Sequence, residues 1–237
     1  MNINPKIFKA YDIRGIYPTD LDEEISYQIA RAFAQLLKEE NPQKKIKIIL
    51  SSDMRLSSPS LHQEVLQGFA DENIQIIDIG LASTPMFYFA VTTLRADGGM
   101  QITASHNPKD YNGFKLTRKN ATPINGDNGI YQIRDKAISG SFPRLNKTIS
   151  LQNEDILSRY IDQAISFTKN EKINLKIIVD SANAMAGNDL EAFFKHFSNI
   201  EVNFLNRQLD GNFPAHEANP LKEETLNQLK KEVVRLE

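Results

Sequence analysis

Cysteine is absent from the 237 residues, and so is tryptophan. Without a thiol there is no disulfide scaffold, no cysteine nucleophile and no Cys-ligated zinc site. The same absence is compatible with a cytoplasmic location. No charge sign is in excess: 28 Lys+Arg stand against 30 Asp+Glu, a formal net charge of -2. No basic field exists to hold nucleic acid nonspecifically, so no nucleic-acid partner is expected. The four histidines, His62, His106, His196 and His216, lie too far apart for a helical metal motif of the H-E-x-x-H kind. Neither G-x-x-x-x-G-K-[ST] nor G-x-G-x-x-G occurs, so phosphate binding of the nucleotide type is not indicated. Long apolar runs are missing too. The most apolar stretch, Ile74 to Leu94, is broken by Asp78, Gly80 and Pro85 and reads as strand, turn and helix, not as a membrane span. The opening Met1-Asn2-Ile3-Asn4-Pro5-Lys6 has no apolar h-region, so no signal peptide is read.

What remains is an ordinary globular balance, 41% hydrophobic and 24% charged, in a chain long enough for one large domain or two modest ones. Short β-branched runs end abruptly in small or polar residues. Ile46–Leu50 meets Ser51-Ser52-Asp53, Ile74–Ile79 meets Gly80, and Met100–Thr103 meets Ala104-Ser105-His106. Leu175–Val179 meets Asp180-Ser181, and Ile200–Leu205 meets Asn206-Arg207. Each reads as a largely buried strand. Helical patterns lie between them: Glu23–Glu40, a helix opened by Pro59 with Ser58 as N-cap, one opened by Thr84-Pro85, and Glu154–Thr168. The alternation predicts an α/β fold, a mixed and mainly parallel sheet sandwiched by helices, with ligands at the carboxyl ends of strands. Periodicity is lost between about Ile138 and Asn153, through Ser139-Gly140-Ser141-Phe142-Pro143-Arg144, which sets the domains at 1–145 and 146–237. Leu221–Leu236 forms an amphipathic helix with no strand after it, so the second domain reads as incomplete.

Three clusters carry polar side chains to strand ends. In Thr103-Ala104-Ser105-His106-Asn107-Pro108, a strand delivers Ser105 into a loop. Asn112-Gly113 is a preferred tight-turn dipeptide, so Lys115 on the returning strand folds back towards Ser105. A hydroxyl near a cation suits phosphoryl or acyl transfer. The alternative is a loop serine engaged in turn chemistry. A direct bond between Ser105 and its neighbour His106 is not expected, because adjacent side chains diverge in extended backbone. In Lys9-Ala10-Tyr11-Asp12-Ile13-Arg14-Gly15, the Arg14 fork suits a phosphate; the alternative is an Asp12–Arg14 turn on the surface. The serines of Ser51-Ser52-Asp53-Met54-Arg55-Leu56-Ser57-Ser58 suit either an anion or the capping of a helix.

Taken in order, these segments resemble the α-D-phosphohexomutase superfamily, in its phosphomannomutase/phosphoglucomutase branch. Phe8–Gly15 is similar to the opening of that branch, Thr103–Pro108 to its active-site signature, and Tyr111-Asn112-Gly113-Phe114-Lys115 to the element that follows. Val179–Gly187 and Asp210-Gly211-Asn212-Phe213-Pro214 look like the opening of its second domain. The resemblance implies a phosphoserine at Ser105 that exchanges its phosphate with a hexose phosphate of mannose or glucose. The phosphate then moves between carbon 6 and carbon 1 through a hexose bisphosphate. It further implies Lys115 and Arg14 flanking the phosphoserine, His106 lining the loop, Tyr11 beside the sugar, and a phosphoserine oxygen ligating Mg²⁺. Phosphoglucosamine mutase ranks lower, since its Thr-Asp-Gly-Ile-Arg-Gly is replaced by Tyr11-Asp12-Ile13-Arg14-Gly15.

The family's Asp-Gly-Asp-x-Asp-Arg metal loop, which supplies three carboxylates, is not in this sequence, nor are the sugar-reading loops of the later domains. Two readings of the chain follow. One is the N-terminal half of a phosphohexomutase, inactive alone. The other is a non-catalytic phosphosugar-binding remnant or one half of a split enzyme, its open strand edge inviting self-association or the missing C-terminal half.

Overall fold

The computed structural model describes residues 3–140, 142–168 and 174–236, so Met1, Asn2 and Ser141 of the segments above lie outside the described residues. The chain forms two compact units. The first comprises residues up to Asp53, Ser57–Ala104 and Asp110–Asp155; the second comprises Met54–Leu56, Ser105–Lys109 and Ile156 onward.

In the first unit the strands are β1 (Ile13–Ile16), β2 (Lys47–Ser52), β3 (Gln75–Leu81), β4 (Gly98–Ile102), β5 (Tyr111–Arg118) and β6 (Leu151–Asn153), in the sheet order β1-β5-β4-β2-β3-β6. The pairs β2–β3, β2–β4 and β3–β6 are parallel, while β5 is antiparallel to both β1 and β4. The sheet is therefore mixed and mainly parallel, as the alternation predicts. The unit's helices are α1 (Glu23–Glu40), α2 (Ser58–Asp71), α3 (Thr84–Thr93) and α4 (Tyr131–Ser139). Helix α1 starts where Asp22 Oδ1 accepts from the Ile25 N–H at 2.8 Å. It packs against α2 and α4, and Phe33 of α1 meets Phe69 of α2 with ring centroids 6.3 Å apart. No helix among the described residues is long and apolar enough to cross a membrane.

Three features of the first unit differ from the sequence reading. Asn112-Gly113 is not a turn but lies inside β5, opposite Arg14 and Gly15 of β1. Gly113 is needed for close approach, since a Cβ there would stand 2.0 Å from the Ile13 carbonyl oxygen. The turn between β4 and β5 is instead the loop that holds Ser105. Ser57, not Ser58, is the N-cap residue of α2, and it makes no side-chain capping bond; the Ser58 hydroxyl faces Asp53 Oδ1 at 3.2 Å. Residues 146–155, assigned above to the second domain, pack with the first unit. There the Leu145 and Lys147 N–H groups each donate to Asp71 at 2.9 Å, and β6 joins the sheet beside β3. Asp71 also accepts from Tyr27 Oη at 2.6 Å, and Arg31 Nε donates to Glu72 Oε1 at 2.7 Å, so a buried polar network ties α1, α2 and this segment together.

In the second unit β7 (Leu175–Asp180) and β8 (Ile200–Leu205) form a parallel two-stranded sheet, with α5 (Leu157–Ser166), α6 (Ala186–Phe194) and α7 (Asn227–Leu236). The last helix starts later than its apolar spacing predicts. Thr225 Oγ1 bonds the Lys222 and Asn219 carbonyls, which tightens Glu223–Leu226 into a 3₁₀ turn, and Leu221 is left 86% exposed.

Candidate functional site

Strand pairing in the first unit gathers Asp12, Arg14 and Lys115. Arg14 of β1 stands opposite Gly113 of β5, and Lys115 lies two residues further along β5. Arg14 pairs with Asp12 Oδ2 at 2.6 Å, and Lys115 Nζ lies 3.8 Å from the same oxygen. The surface turn considered for Asp12–Arg14 is not what forms: Asp12 is buried, and Arg14 is a strand residue. Burial pushes the Lys115 ammonium below its ordinary pKa, Asp12 opposes the shift, and Arg14 adds to it. A cation of reduced proton affinity is a candidate for charge neutralisation or proton transfer. Tyr11, on the loop before β1, is 78% exposed.

Ser57 and Ser58, after β2, make no side-chain capping bond to α2 and turn their hydroxyls to other side chains. Asn112 Nδ2 reaches Ser57 Oγ at 2.9 Å and Ser58 Oγ at 3.2 Å, while Asp53 accepts from Ser58 and, at 2.7 Å, from Thr103 Oγ1. These buried bonds brace the carboxyl ends of β2 and β4 against β5.

In the second unit Ser105 and His106 are brought together. Ser105 Oγ lies 3.3 Å from His106 Nδ1. The expectation that neighbouring side chains diverge fails because Ser105 is not extended: its φ is 58°, in the left-handed region. Arg55 explains how the loop is held. It is 1% exposed and donates to the Ser105, Asn107 and Pro108 carbonyls at 3.0, 2.8 and 2.8 Å. Phe213 covers it, 5.4 Å from the guanidinium carbon. Sequence reasoning treated Arg55 only as part of a serine-rich loop. Nothing local marks an arginine that binds carbonyls fifty residues away.

A second polar pair closes the carboxyl end of β7. His216 Nε2 lies 2.9 Å from Asp180 Oδ2, and its Nδ1 lies 2.9 Å from the Glu217 carbonyl oxygen. Both ring nitrogens face acceptors, which only the imidazolium satisfies. Burial works against its charge, but the Glu217 carbonyl and Asp180 outweigh it and raise the pKa.

A divalent cation fits poorly on these residues. Magnesium favours an octahedral oxygen shell anchored by carboxylates. Among the described residues no three His, Asp or Glu side chains are gathered to hold one, and the side chain beside the Ser105 hydroxyl is His106, not a carboxylate. No step below passes through a metal.

The comparisons with known proteins agree with this architecture. Residues 5–142 match phosphoglucomutase/phosphomannomutase α/β/α domain I, and residues 158–237 match domain II of the same family. A phosphomannomutase from Vibrio cholerae is 39% identical over 219 residues, covering 90% of this chain and 47% of its own length. One from Escherichia coli K12 is 36% identical, covering 96% of this chain and 50% of itself. The crystal structure of a phosphoglucomutase/phosphomannomutase family protein from Burkholderia thailandensis superposes with a TM-score of 0.85 at 31% identity, over 98% of this chain and 50% of that one. The chain spans about half the length of the curated relatives it matches. With both domain matches in sequence order on the two α/β units, the chain belongs to the phosphoglucomutase/phosphomannomutase family.

Proposed function

We propose that the chain takes part in phosphohexomutase chemistry, with Ser105 as the residue that carries the phosphoryl group. The observation that carries this reading is the Ser105 hydroxyl, fixed on a left-handed backbone 3.3 Å from His106 Nδ1. A sugar hydroxyl attacks the phosphorus of phosphorylated Ser105; the new O–P bond forms as the Oγ–P bond breaks. The sugar oxygen loses its proton, and Oγ gains one, for which His106 is the nearby carrier. The reverse transfer, from the other phosphate of the resulting hexose bisphosphate, reloads Ser105. Phosphoryl transfer needs positioning and charge neutralisation, and Lys115 and Arg14 are the cations proposed for it. Tyr11 is proposed to lie against the sugar, and hexose phosphates of mannose or glucose are the proposed substrates. A phosphosugar-binding module without turnover is the second reading. It is favoured by the lack of any gathered set of carboxylates among the described residues.

Incubation of the purified chain with labelled glucose 1,6-bisphosphate, followed by peptide mass spectrometry, is expected to place the label on Ser105. Label on another residue, or undiminished label in Ser105→Ala, would sink the reading. A coupled assay with mannose and glucose phosphates on the complete enzyme separates the two readings: turnover lost in Ser105→Ala supports the mutase, and labelling without turnover there supports the binding module. In the complete enzyme Lys115→Met should lower kcat by roughly 10²-fold with little change in KM. A kcat within a few-fold of wild type would reduce Lys115 to a structural lysine.

A further inference from the structure

We propose that Arg55 is the positioning residue for the phosphoacceptor serine; the proposal rests on the reading of Ser105 given above. Its side chain is almost wholly buried, yet it is a permanent cation. Burying such a charge is costly unless strong acceptors surround it. The acceptors here include three backbone carbonyls from one five-residue loop, those of Ser105, Asn107 and Pro108. A fork that engages three carbonyls at once fixes the loop's peptide planes, not just its location.

The peptide planes carry the consequence. In a trans peptide the N–H points opposite to the preceding carbonyl. When the Ser105 carbonyl turns to Arg55, the His106 N–H is aimed the other way. When the Pro108 carbonyl does so, the Lys109 N–H is aimed away too. The Asn107 carbonyl precedes a proline, so no N–H is committed there. Guanidinium binding on one side of the loop thus sets two N–H donors on the other. Turned backbone N–H groups of this kind form a nest for an anion, which is what a phosphorylated Ser105 would present. The left-handed φ of Ser105, unfavourable for a residue with a Cβ, is held by the same clamp.

The clamp is itself held within the second unit. Phe213 lies over the guanidinium, and Gly211 is packed so closely that a Cβ would stand 2.8 Å from both the Met54 carbonyl oxygen and the Leu56 nitrogen. Arg55 therefore belongs with the Asp210–Phe213 turn, and the serine's geometry depends on residues about a hundred positions away.

The test uses the whole 237-residue chain with Arg55→Ala and Arg55→Lys. The probes are labelled glucose 1,6-bisphosphate and amide hydrogen exchange of residues 105–109. In Arg55→Ala, labelling of Ser105 should slow by about 10²-fold, the scale of a displacement of one ångström. Added guanidinium should restore part of it. Arg55→Lys keeps the charge but cannot span three carbonyls, so it should fall between. Exchange at His106, Asn107 and Lys109 should rise at least about tenfold while the amides of β4 and β5 stay unchanged.

Labelling of Arg55→Ala at the wild-type rate, or loop exchange unchanged in it, would overturn the proposal. So would a uniform rise in exchange across the unit without guanidinium rescue, which marks a folding residue. If wild-type Ser105 takes no label, the phosphoacceptor reading fails, and selective loop exchange alone decides whether Arg55 positions the loop.

Discussion

The two units use the same kind of strand under opposite conditions. Every residue of β4 is buried, while no residue of β7 is. Both are short strands that follow a helix, β4 (Gly-Gly-Met-Gln-Ile) after α3 and β7 (Leu-Lys-Ile-Ile-Val-Asp) after α5. Strand β4 sits between β2 and β5 in a six-stranded sheet, whereas β7 has only β8 beside it among the described residues. A parallel strand is shielded when both its edges are paired and both its faces are covered. Burial in this protein is thus a property of the neighbours and not of the strand sequence. The helices repeat the contrast: α1 buries a continuous face, and α7 buries no residue fully despite its apolar stripe.

The largest expected effect tests that contrast directly. Phe69→Ala, in the closed core of the first unit, should cost about 3–5 kcal/mol. Phe193→Ala, on half-buried α6 of the second, should cost about 1 kcal/mol. Urea unfolding followed in each unit by hydrogen exchange measures both, and equal losses would break the comparison. Next is Gly113→Ala, where the added Cβ meets the Ile13 carbonyl in the β1–β5 pairing. A loss of roughly 1–3 kcal/mol is expected, with exchange rising first in β1.

Asp71 of the first unit and His216 of the second should answer pH in opposite directions. Burial alone would raise the pKa of Asp71. Hydrogen bonds from Tyr27, the Lys147 and Leu145 N–H groups and Gln67 outweigh it and hold the carboxyl well below the usual range. Its stabilisation is present above the unfolded value near ~4 and is lost as pH falls through the folded value. Tyr27 is pushed up to about 12 by burial and its bond to Asp71, so its share is present below about 10 and lost as pH rises through about 12. Between these limits neither Asp71 nor Tyr27 makes the first unit's stability depend on pH. In the second unit His216 is raised above 6.5, so its contribution is present below that value and lost as pH rises through the folded one. Corrected exchange rates for residues 206–219 should therefore rise as pH climbs above 6.5 in the wild type and not in His216→Gln, while Asp71→Asn should flatten the acid limb of the first unit.

The smallest effect is a control. The exposed pairs Lys136–Glu39 and Lys195–Glu191 lie in different units. Lys136→Ala and Lys195→Ala should each change stability by less than about 0.5 kcal/mol. A larger loss in either would mean that surface charge, not burial, separates the units.

Much of this was legible without coordinates where local rules act alone. Helix α1 has the limits its spacing predicts, and β2, β3 and β8 lie on their β-branched runs. The motif around Ser105 was visible because the loop chemistry is contiguous in sequence. The short strand β1 was not, since Ile13-Arg14-Gly15-Ile16 becomes a strand only by pairing with β5. Nor was β6, a polar three-residue edge recruited by β3, nor the helices α4 and α6. Asn112-Gly113 misled for the same reason: the dipeptide permits a turn, but a neighbouring backbone that requires a glycine decides what it becomes.

The sequence by itself determined the α/β alternation and the family motifs, and it made Ser105 a candidate, because these depend on residue type and on spacing within a dozen positions. Only the tertiary structure decided that Asp12 gathers Arg14 and Lys115, that Ser105 meets His106 on a left-handed backbone, and that Arg55 is a buried clamp. The Asp12–Lys115 approach and the Arg55 bonds join groups far apart in the chain, and the Ser105 backbone turns left-handed in the loop that Arg55 holds, so these energies exist only once the chain has folded.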